Sequence, residues 1–207
     1  MSHNRSGSPL VPAGIERLVL ATGNAHKVRE LTQLLSHLPV QLASLADFPA
    51  AQSVAEDGAT AAENARQKAQ GYARQLGQWV LADDTALHVD ALHGAPGVLS
   101  ARYAGHGATM AENRAKLLAA LAHVPDPQRT AHFICHLALA DPAGRIVAEA
   151  TGTCPGRIRR TPSAGVYGIG YDCLFEVSEC GRTLAELAPD VTAQVGHRGR
   201  AVRALLG

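Results

Sequence analysis

The stretch WVLADDTALHVD, residues 79–90, joins an apolar run to two adjacent carboxylates. Its first five residues, WVLAD, predict a buried β-strand. Asp83 and Asp84 come at the predicted end of this strand, and successive strand residues point to opposite faces of a sheet. One carboxylate can therefore project into a cleft at the edge of the sheet, where α/β proteins bind their ligands. The alternative is a solvated turn followed by a helix cap.

Apolar strands alternate with helices on the N-terminal side of this stretch. RLVLA (residues 17–21) and QLASL (residues 41–45) are short apolar runs that predict two further strands. Between them apolar residues follow helical spacing from residue 28 to residue 38, and Pro39 ends the predicted helix. The capping-box pattern TAAE (residues 60–63) opens a second helix with one apolar face.

A hairpin follows on the C-terminal side. Two long strands are predicted at residues 129–140 and 145–152, and the loop DPAG between them suits a hairpin turn. Further helices are expected at residues 109–121, from Thr183, and at about residues 199–206, with a strand at residues 173–177. Because alternation comes first and a hairpin later, the sequence predicts an α/β fold with a mixed sheet and flanking helices.

Composition limits the classes of protein to which the chain can belong. With 207 residues, 46% of them apolar, it is long enough for one domain around one core. Lys plus Arg total 19 and Asp plus Glu total 18, which excludes a strongly basic nucleic-acid binder and an acidic disordered chain. No apolar run approaches the roughly 18 residues of a membrane helix, and the first residues lack the apolar core of a signal peptide.

These observations predict a single domain at residues 17–207, preceded by a flexible extension. Residues 1–16 contain Pro, Gly and Ser without periodicity, as loose termini do. The expected location is the cytoplasm, where thiols stay reduced. Four cysteines are therefore predicted to be small hydrophobic side chains rather than disulfide partners: Cys135, Cys154, Cys173 and Cys180.

The segment LATGNAHKVRE, residues 20–30, runs from a strand through a turn into a helix. At Thr22-Gly23-Asn24, free backbone N–H groups, the positive end of the helix dipole and Lys27 converge on one place, which suits a phosphate group. The pattern is neither that of a P-loop nor that of a Rossmann turn. The alternative is an ordinary Asn24 cap, with Lys27 paired to Glu30 on the surface.

Acidic residues close to the central stretch could hold a hard cation. Mg²⁺ prefers a few carboxylates combined with phosphate oxygens. Asp83 and Asp84 are two such groups, and Glu56 and Glu63 in AEDGATAAEN (residues 55–64) could supply further acid.

Two short C-terminal segments have the composition of a pocket for a flat ligand. In VYGIGYD (residues 166–172) the glycines permit close backbone approach, and in GHRGR (residues 196–200) His197 and Arg198 can donate hydrogen bonds to carbonyl oxygens. A glycine turn and a basic helix start are the alternative explanations for these segments.

In this order, the segments TGNAHK-x-x-E, AED-x-x-x-x-x-EN-A, ADDTALHVDALHGAPGVLSARYAG, GIGYD and HRG resemble the inosine triphosphate pyrophosphatase family. The resemblance covers residues 18–206, and residues 82–105 are its most specific part. It implies an elongated mixed sheet, two lobes around a central nucleotide cleft, and a homodimer. It also implies Mg²⁺-dependent hydrolysis of a purine nucleoside triphosphate to the monophosphate and pyrophosphate.

The resemblance assigns roles to individual residues of this chain. It implies that Asp84 is the general base and a metal ligand, with Glu56 and Asp83 as further metal ligands. It implies the following substrate-binding residues: Thr22, Gly23, Asn24, Ala25, His26, Lys27, Lys68, Thr85, Ile169, Gly170, Tyr171, Asp172, Thr192, His197 and Arg198.

The chain departs from the family pattern mainly where the base would bind. Ile169 stands where an aromatic residue usually stacks on the base, and Thr192 stands where the family has a base-contacting lysine. Thr85-Ala86 replaces Ser-Gly, and Gly196 replaces a serine. We therefore expect a preference for inosine, deoxyinosine and xanthosine triphosphates that is looser than the family pattern implies. The alternatives are a pyrophosphatase of shifted nucleotide specificity and a nucleotide-binding protein that has lost catalysis.

Overall fold

A computed structural model describes residues 14–207, and one mixed sheet runs through them. In chain order its strands are β1 (Arg17–Leu20), β2 (Gln41–Ser44), β3 (Trp79–Val89), β4 (Pro96–Gly97), β5 (Thr130–Ala140), β6 (Ile146–Ile158), β7 (Phe175–Val177) and β8 (Arg182–Thr183). The order across the sheet is β2-β1-β3-β5-β6-β7-β8, and β4 pairs with the free side of β3. Strands β1, β2 and β3 are parallel and the remaining pairs are antiparallel, which confirms the predicted α/β class.

Five α-helices flank this sheet in the described part of the chain: α1 (Ala25–Leu35), α2 (Ala61–Leu76), α3 (Met110–Ala120), α4 (Pro189–Val195) and α5 (His197–Leu206). Helix α2 covers one face with small residues such as Ala65, Ala69 and Ala73, while α1 and α5 contribute leucines and valines to a core on the other face. Within residues 14–207 no helix is both long and apolar enough to cross a membrane.

The packed part of the chain begins slightly earlier than expected. Ile15 is buried in the core, and the Glu16 carbonyl accepts a hydrogen bond from the Gln41 N–H at 2.8 Å. Residues 1–13 of the predicted extension lie outside the described residues. The four cysteines are free; Cys135 and Cys154 are buried as predicted, whereas Cys180 is exposed.

The prediction that β3 ends at Asp83 is wrong. The strand continues to Val89, so Asp83 and Asp84 lie in its interior rather than at its end. β5 pairs with it along almost its whole length, from Val80 opposite Ala140 to Val89 opposite Ala131. The strand can continue through the aspartates because nearby cations compensate their buried charges: Lys27 and Arg198 pair with Asp83, and Lys68 pairs with Asp84. Apolar residues then continue the buried strand on both sides.

On the side of β3 away from β5, no described strand pairs with the two aspartates, and the cleft opens there. β1 pairs only with residues 79–81 of β3, and β4 pairs only with residues 87–88. Residues 82–86 therefore face a gap between the end of β1 and β4. The chain leaves β1 at this gap and turns into α1, which puts the predicted phosphate turn beside the aspartates.

Two C-terminal predictions also need correction. The second hairpin strand extends to Ile158 instead of ending at residue 152, because its pairing with β5 continues to Arg157. Gly152 lies within the strand, where it allows the close approach of α5: a Cβ there would lie 2.1 Å from the His197 carbonyl oxygen. The helix predicted from Thr183 is a single 3₁₀ turn at Leu184–Glu186, although Thr183 and Glu186 do form a capping box. Pro189 disfavours helical geometry at the residue before it, so the chain restarts as α4.

Candidate functional site

A cleft of about 720 Å³ opens along the gap beside β3. It brings together residues from distant parts of the chain. The predicted site residues that line it are Thr22, Gly23, Asn24, His26, Lys27, Glu56, Lys68, Asp84, Thr85, Ile169, Gly170, Tyr171, Asp172, Thr192, His197 and Arg198. Three predicted residues do not line the cleft. Ala25 is exposed on the first turn of α1, Asp83 is buried beneath the cleft, and the Glu63 carboxylate accepts a hydrogen bond from the Ala59 N–H before α2.

The turn before α1 forms an N-terminal cap by Asn24, which is the alternative interpretation of this segment. Asn24 Oδ1 accepts hydrogen bonds from the backbone N–H groups of His26, at 2.9 Å, and Lys27, at 3.4 Å. The predicted alternative pairing of Lys27 with Glu30 is absent among the described contacts; its ammonium instead lies 2.6 Å from Asp83 Oδ1. Any phosphate at this turn would therefore depend on the Lys27 side chain more than on the N–H groups that Asn24 occupies.

Lys68 joins two carboxylates at the charged end of the cleft, defined by Lys27, Glu56, Lys68 and Asp84. Its ammonium lies 3.1 Å from Asp84 Oδ1 and 3.2 Å from Glu56 Oε2, and it donates a hydrogen bond to the Asp83 carbonyl at 2.7 Å. Burial would lower the pKa of Lys68, but Asp84 and Glu56 outweigh burial and raise it. Lys68 therefore stays charged and holds two carboxylates on one side of the cleft.

Strand geometry separates the two adjacent aspartates. Asp84 points to the α2 face, where Asn64 Nδ2 also donates to its Oδ2 at 3.3 Å. Asp83 points to the opposite face, toward Lys27 and Arg198. Burial would raise the pKa of Asp83, but Arg198 and Lys27 hold it far below its usual range. Asp83 is thus a buried carboxylate paired with Lys27 and Arg198, whereas Asp84 lines the cleft.

Arg198 ties three elements together beneath the cleft. Its Nε donates to Asp83 Oδ2 at 2.7 Å, its Nη2 donates to Thr85 Oγ1 at 3.1 Å, and its Nη1 pairs with Glu30 on α1. Burial lowers the pKa of Arg198, and the two carboxylates more than compensate, so the pKa is raised. All three guanidinium nitrogens already have partners within the chain.

His197 precedes it at the start of α5 and is also buried. Its ring stacks on Phe133 with centroids 4.8 Å apart, and its Nδ1 is buried with no hydrogen-bond partner among the described residues. Burial, followed by the nearby Arg198 charge, lowers the pKa of His197 well below its usual value. The imidazole is therefore neutral, with one nitrogen free for a partner.

The turn at residues 166–172 forms the opposite wall. Gly168 and Gly170 have φ angles of 73° and 63°, which side-chain-bearing residues rarely adopt. Asp172 Oδ2 accepts a hydrogen bond from the Ile169 N–H at 2.7 Å and so closes the turn. Burial raises the pKa of Asp172 to about 7; the Ile169 N–H opposes this shift, and Glu30 adds to it.

The apolar end of the cleft consists of Val166, Tyr167 and Ile169, whose side chains are 85%, 45% and 45% exposed. Tyr171 from the same turn is instead buried, and its hydroxyl donates to the Ser100 carbonyl at 2.9 Å. Thr192 is half-buried and faces this part of the cleft from α4.

Sequence reasoning missed Asn64, Glu30 and Tyr167 as site residues. All three lie inside the motifs that carry the family resemblance or the segment VYGIGYD, so position in a motif is the available signal. For Glu30 the local pattern favours a surface pairing with Lys27, because nothing in the sequence places Arg198 beside it.

Known proteins match this chain over nearly all of the residues that form the fold. The family model described as Ham1 family matches residues 18–207. A dITP/XTP pyrophosphatase of Geobacillus kaustophilus is 50% identical over 191 residues, which cover 92% of this chain and 93% of that protein. A dITP/XTP pyrophosphatase of Shigella flexneri is 45% identical over 195 residues, 93% of this chain and 97% of that protein.

Solved structures agree with the sequence relatives. A HAM1 protein from Coxiella burnetii superposes with a TM-score of 0.82 at 39% identity, covering 92% of this chain and 96% of that one. A nucleoside-triphosphatase / dITP/XTP pyrophosphatase from Mycobacterium abscessus gives a TM-score of 0.72 at 42% identity, covering 92% and 98%. Because the family model and these relatives span nearly the whole described chain, the protein belongs to the Ham1 family.

Proposed function

We propose that this chain hydrolyses deaminated purine nucleoside triphosphates to the monophosphate and pyrophosphate, with Mg²⁺ as cofactor. The observation that carries the proposal is the charged end of the cleft. There Lys68 holds Glu56 and Asp84 together, and Lys27 stands at the neighbouring turn. The relatives named dITP/XTP pyrophosphatase support the substrate class.

Glu56 and Asp84 fit a magnesium ion. Both carboxylates lie within 3.2 Å of the same ammonium, so their oxygens are close enough to act on one ligand. Mg²⁺ takes one or two protein carboxylates and completes its shell with phosphate oxygens and water, which matches a donor set of two. In residues 14–207 no group of three or more His, Cys, Asp or Glu side chains forms a closed metal cage.

We leave Asp83 out of the proposed metal site. Its carboxylate is buried against Lys27 and Arg198 and does not line the cleft. A divalent cation there would have to displace two ion pairs from a buried position, which is costly. Asp83 instead orients Lys27 toward the cleft.

In the proposed reaction Asp84 acts as general base. It accepts a proton from a water molecule whose oxygen forms a bond to the α-phosphorus, while the bond from that phosphorus to the bridging oxygen breaks and pyrophosphate leaves. Lys27 and Lys68 pair with phosphate oxygens as point charges and do not read the base. The cation, when bound, neutralises phosphate charge.

We propose that the base preference comes from hydrogen-bond donors of the cleft that find an acceptor on a 6-oxopurine and none on adenine. The O6 atom of hypoxanthine and xanthine accepts hydrogen bonds, whereas adenine presents an amino group at that position. Neutral His197 and the backbone near Tyr171 lie on the cleft and are suited to donate. Arg198 also lines the cleft, and its contacts with Asp83, Glu30 and Thr85 use three of its five N–H donors, so it can donate as well. An unmatched buried donor costs about 1–3 kcal/mol, or roughly 10- to 100-fold in rate.

A homodimer is also proposed. Strand β6 has exposed residues on the same face of the sheet as Asp84, namely Thr151, Thr153 and Pro155. A second copy would cover this face, and light scattering at micromolar concentration tests it. A monomer mass would remove the proposal.

The test of function is pyrophosphate release from a nucleotide panel with and without Mg²⁺. We expect turnover of inosine, deoxyinosine and xanthosine triphosphates at least tenfold above that of adenosine triphosphate, and none after chelation. Turnover of pyrimidine nucleotides instead would indicate shifted specificity, and binding without turnover would indicate lost catalysis.

A further inference from the structure

The apolar end of the cleft exposes an unusual number of large apolar side chains. Five large apolar side chains are exposed among residues 14–207, and three of them are Val166, Tyr167 and Ile169. These three lie within four residues and all face the cleft. Exposed apolar groups collected in one concave place mark a binding surface.

Backbone contacts hold this exposed segment in place. The Tyr167 N–H donates to the Ala185 carbonyl at 2.9 Å, and the Arg114 guanidinium donates to the Gly170 carbonyl at 2.8 Å. Gly165 packs so closely against residue 185 that a Cβ there would lie 2.2 Å from its backbone. The Tyr167 ring is therefore presented from a fixed turn and does not collapse into the core.

Other aromatic rings of the cleft already have partners in the protein. Phe133 packs between His197 and Phe175, with ring centroids 4.8 and 4.7 Å away. Tyr171 is 3% exposed and bonded to a carbonyl. Of the phenylalanine, tyrosine and tryptophan side chains that line the cleft in the described residues, Tyr167 alone is exposed.

We propose that Tyr167 is the residue that stacks on the nucleobase and sets the affinity of the cleft for it, while Ile169 packs against the base edge. The inference rests on the proposed function, since a nucleotide must be the ligand. An aromatic face is the best cover for a purine ring, and the gain is independent of which hydrogen-bonding groups the base carries. Tyr167 thus governs affinity for purines in general and not the choice between inosine and adenosine.

The test compares ligands with and without a base. Tyr167→Ala should raise KM for inosine triphosphate and the inhibition constant of inosine monophosphate about five- to tenfold. The value of kcat should change by less than about twofold. Inhibition by inorganic pyrophosphate should be unchanged because that ligand has no base. Tyr167→Phe should stay within about twofold of the parent protein in every assay.

Val147→Ala is the matched control, because Val147 is 41% exposed and lies outside the cleft. An unchanged KM in Tyr167→Ala, or an equal loss of pyrophosphate inhibition, would overturn the inference. If the parent protein fails to turn over any nucleotide, the proposed function fails; calorimetric binding of inosine monophosphate to the parent and to Tyr167→Ala still decides the role of Tyr167.

Discussion

At the charged end of the cleft each ammonium group is paired with a carboxylate, whereas at the apolar end the large side chains of Val166, Tyr167 and Ile169 are exposed. Lys27 is paired with Asp83, and Lys68 is paired with Asp84 and Glu56. Tyr167 and Ile169 are held through their backbone N–H groups, which donate to the Ala185 carbonyl and to Asp172.

The difference teaches where substitutions matter. Ionic partners at the charged end come from several elements, so a change there disturbs charge balance and chemistry together. At the apolar end a side chain can be replaced without leaving a buried charge unpaired, so substitution changes affinity or selectivity by modest factors. The two ends should therefore respond to mutation on different scales.

The largest effect is expected at Asp84. Asp84→Asn keeps the shape and the Asn64 contact but removes the charge that accepts a proton, so kcat should fall at least about 100-fold. Steady-state pyrophosphate release measures it. Asp90→Asn, on an exposed aspartate next to the end of the same strand, should leave kcat unchanged. Activity of Asp84→Asn within about threefold of the parent protein would contradict the assignment.

Lys27 should affect all substrates alike. Lys27→Ala removes a charge-assisted contact to phosphate, so kcat/KM should fall about 10- to 100-fold for every accepted triphosphate. The ratio between inosine and adenosine triphosphates should stay constant. Lys116→Ala is the lysine control, because that side chain bonds to the Tyr103 carbonyl away from the cleft. A shifted ratio would place Lys27 at the base and erase the distinction between the two ends.

Asp172 makes stability depend on pH in the unusual direction for a carboxylate. Its pKa is raised to about 7 in the folded chain from 3.8, chiefly by burial, so between these values the folded state holds a proton that the unfolded state has lost. Stability from this group is therefore present at low pH and lost as pH rises from about 4 to 7.

Asp172→Asn keeps an acceptor for the Ile169 N–H and removes this titration. Relative to the parent protein, its unfolding free energy should gain about 1–2 kcal/mol between pH 5 and pH 8, a figure discounted because the side chain is only half-buried. Urea unfolding at both pH values measures the gain. Parallel pH profiles for the two proteins would show that Asp172 is ionised throughout.

The smallest effect is expected at Thr192. Thr192→Lys adds a donor beside the base and should raise the preference for inosine over adenosine triphosphate about three- to tenfold. Thr192→Met is the control of similar length without charge. Ile169→Phe alone should change KM for inosine triphosphate by less than twofold, because Tyr167 already supplies an aromatic face. A larger fall in KM for Ile169→Phe would return the stacking role to position 169.

The sequence by itself determined the class of fold and the charged end. The apolar runs, Asn24 before α1 and Thr60 before α2 act through neighbours a few residues away, so local patterns were enough to place strands and helices. Local motifs single out Lys27, Glu56 and Asp84, and the family resemblance adds Lys68. The resemblance also led to the family that the comparisons support.

Only the tertiary structure decided which aspartate does what. A strand with two charges in its interior looks like a strand that ends, because the partners that compensate those charges are remote; Arg198 lies 115 residues beyond Asp83. The alternation of the continued strand then sends Asp83 to the buried network and Asp84 to the cleft. Likewise, the exposure of Tyr167 and the burial of Tyr171 depend on contacts with residues 185 and 100, which no local pattern encodes.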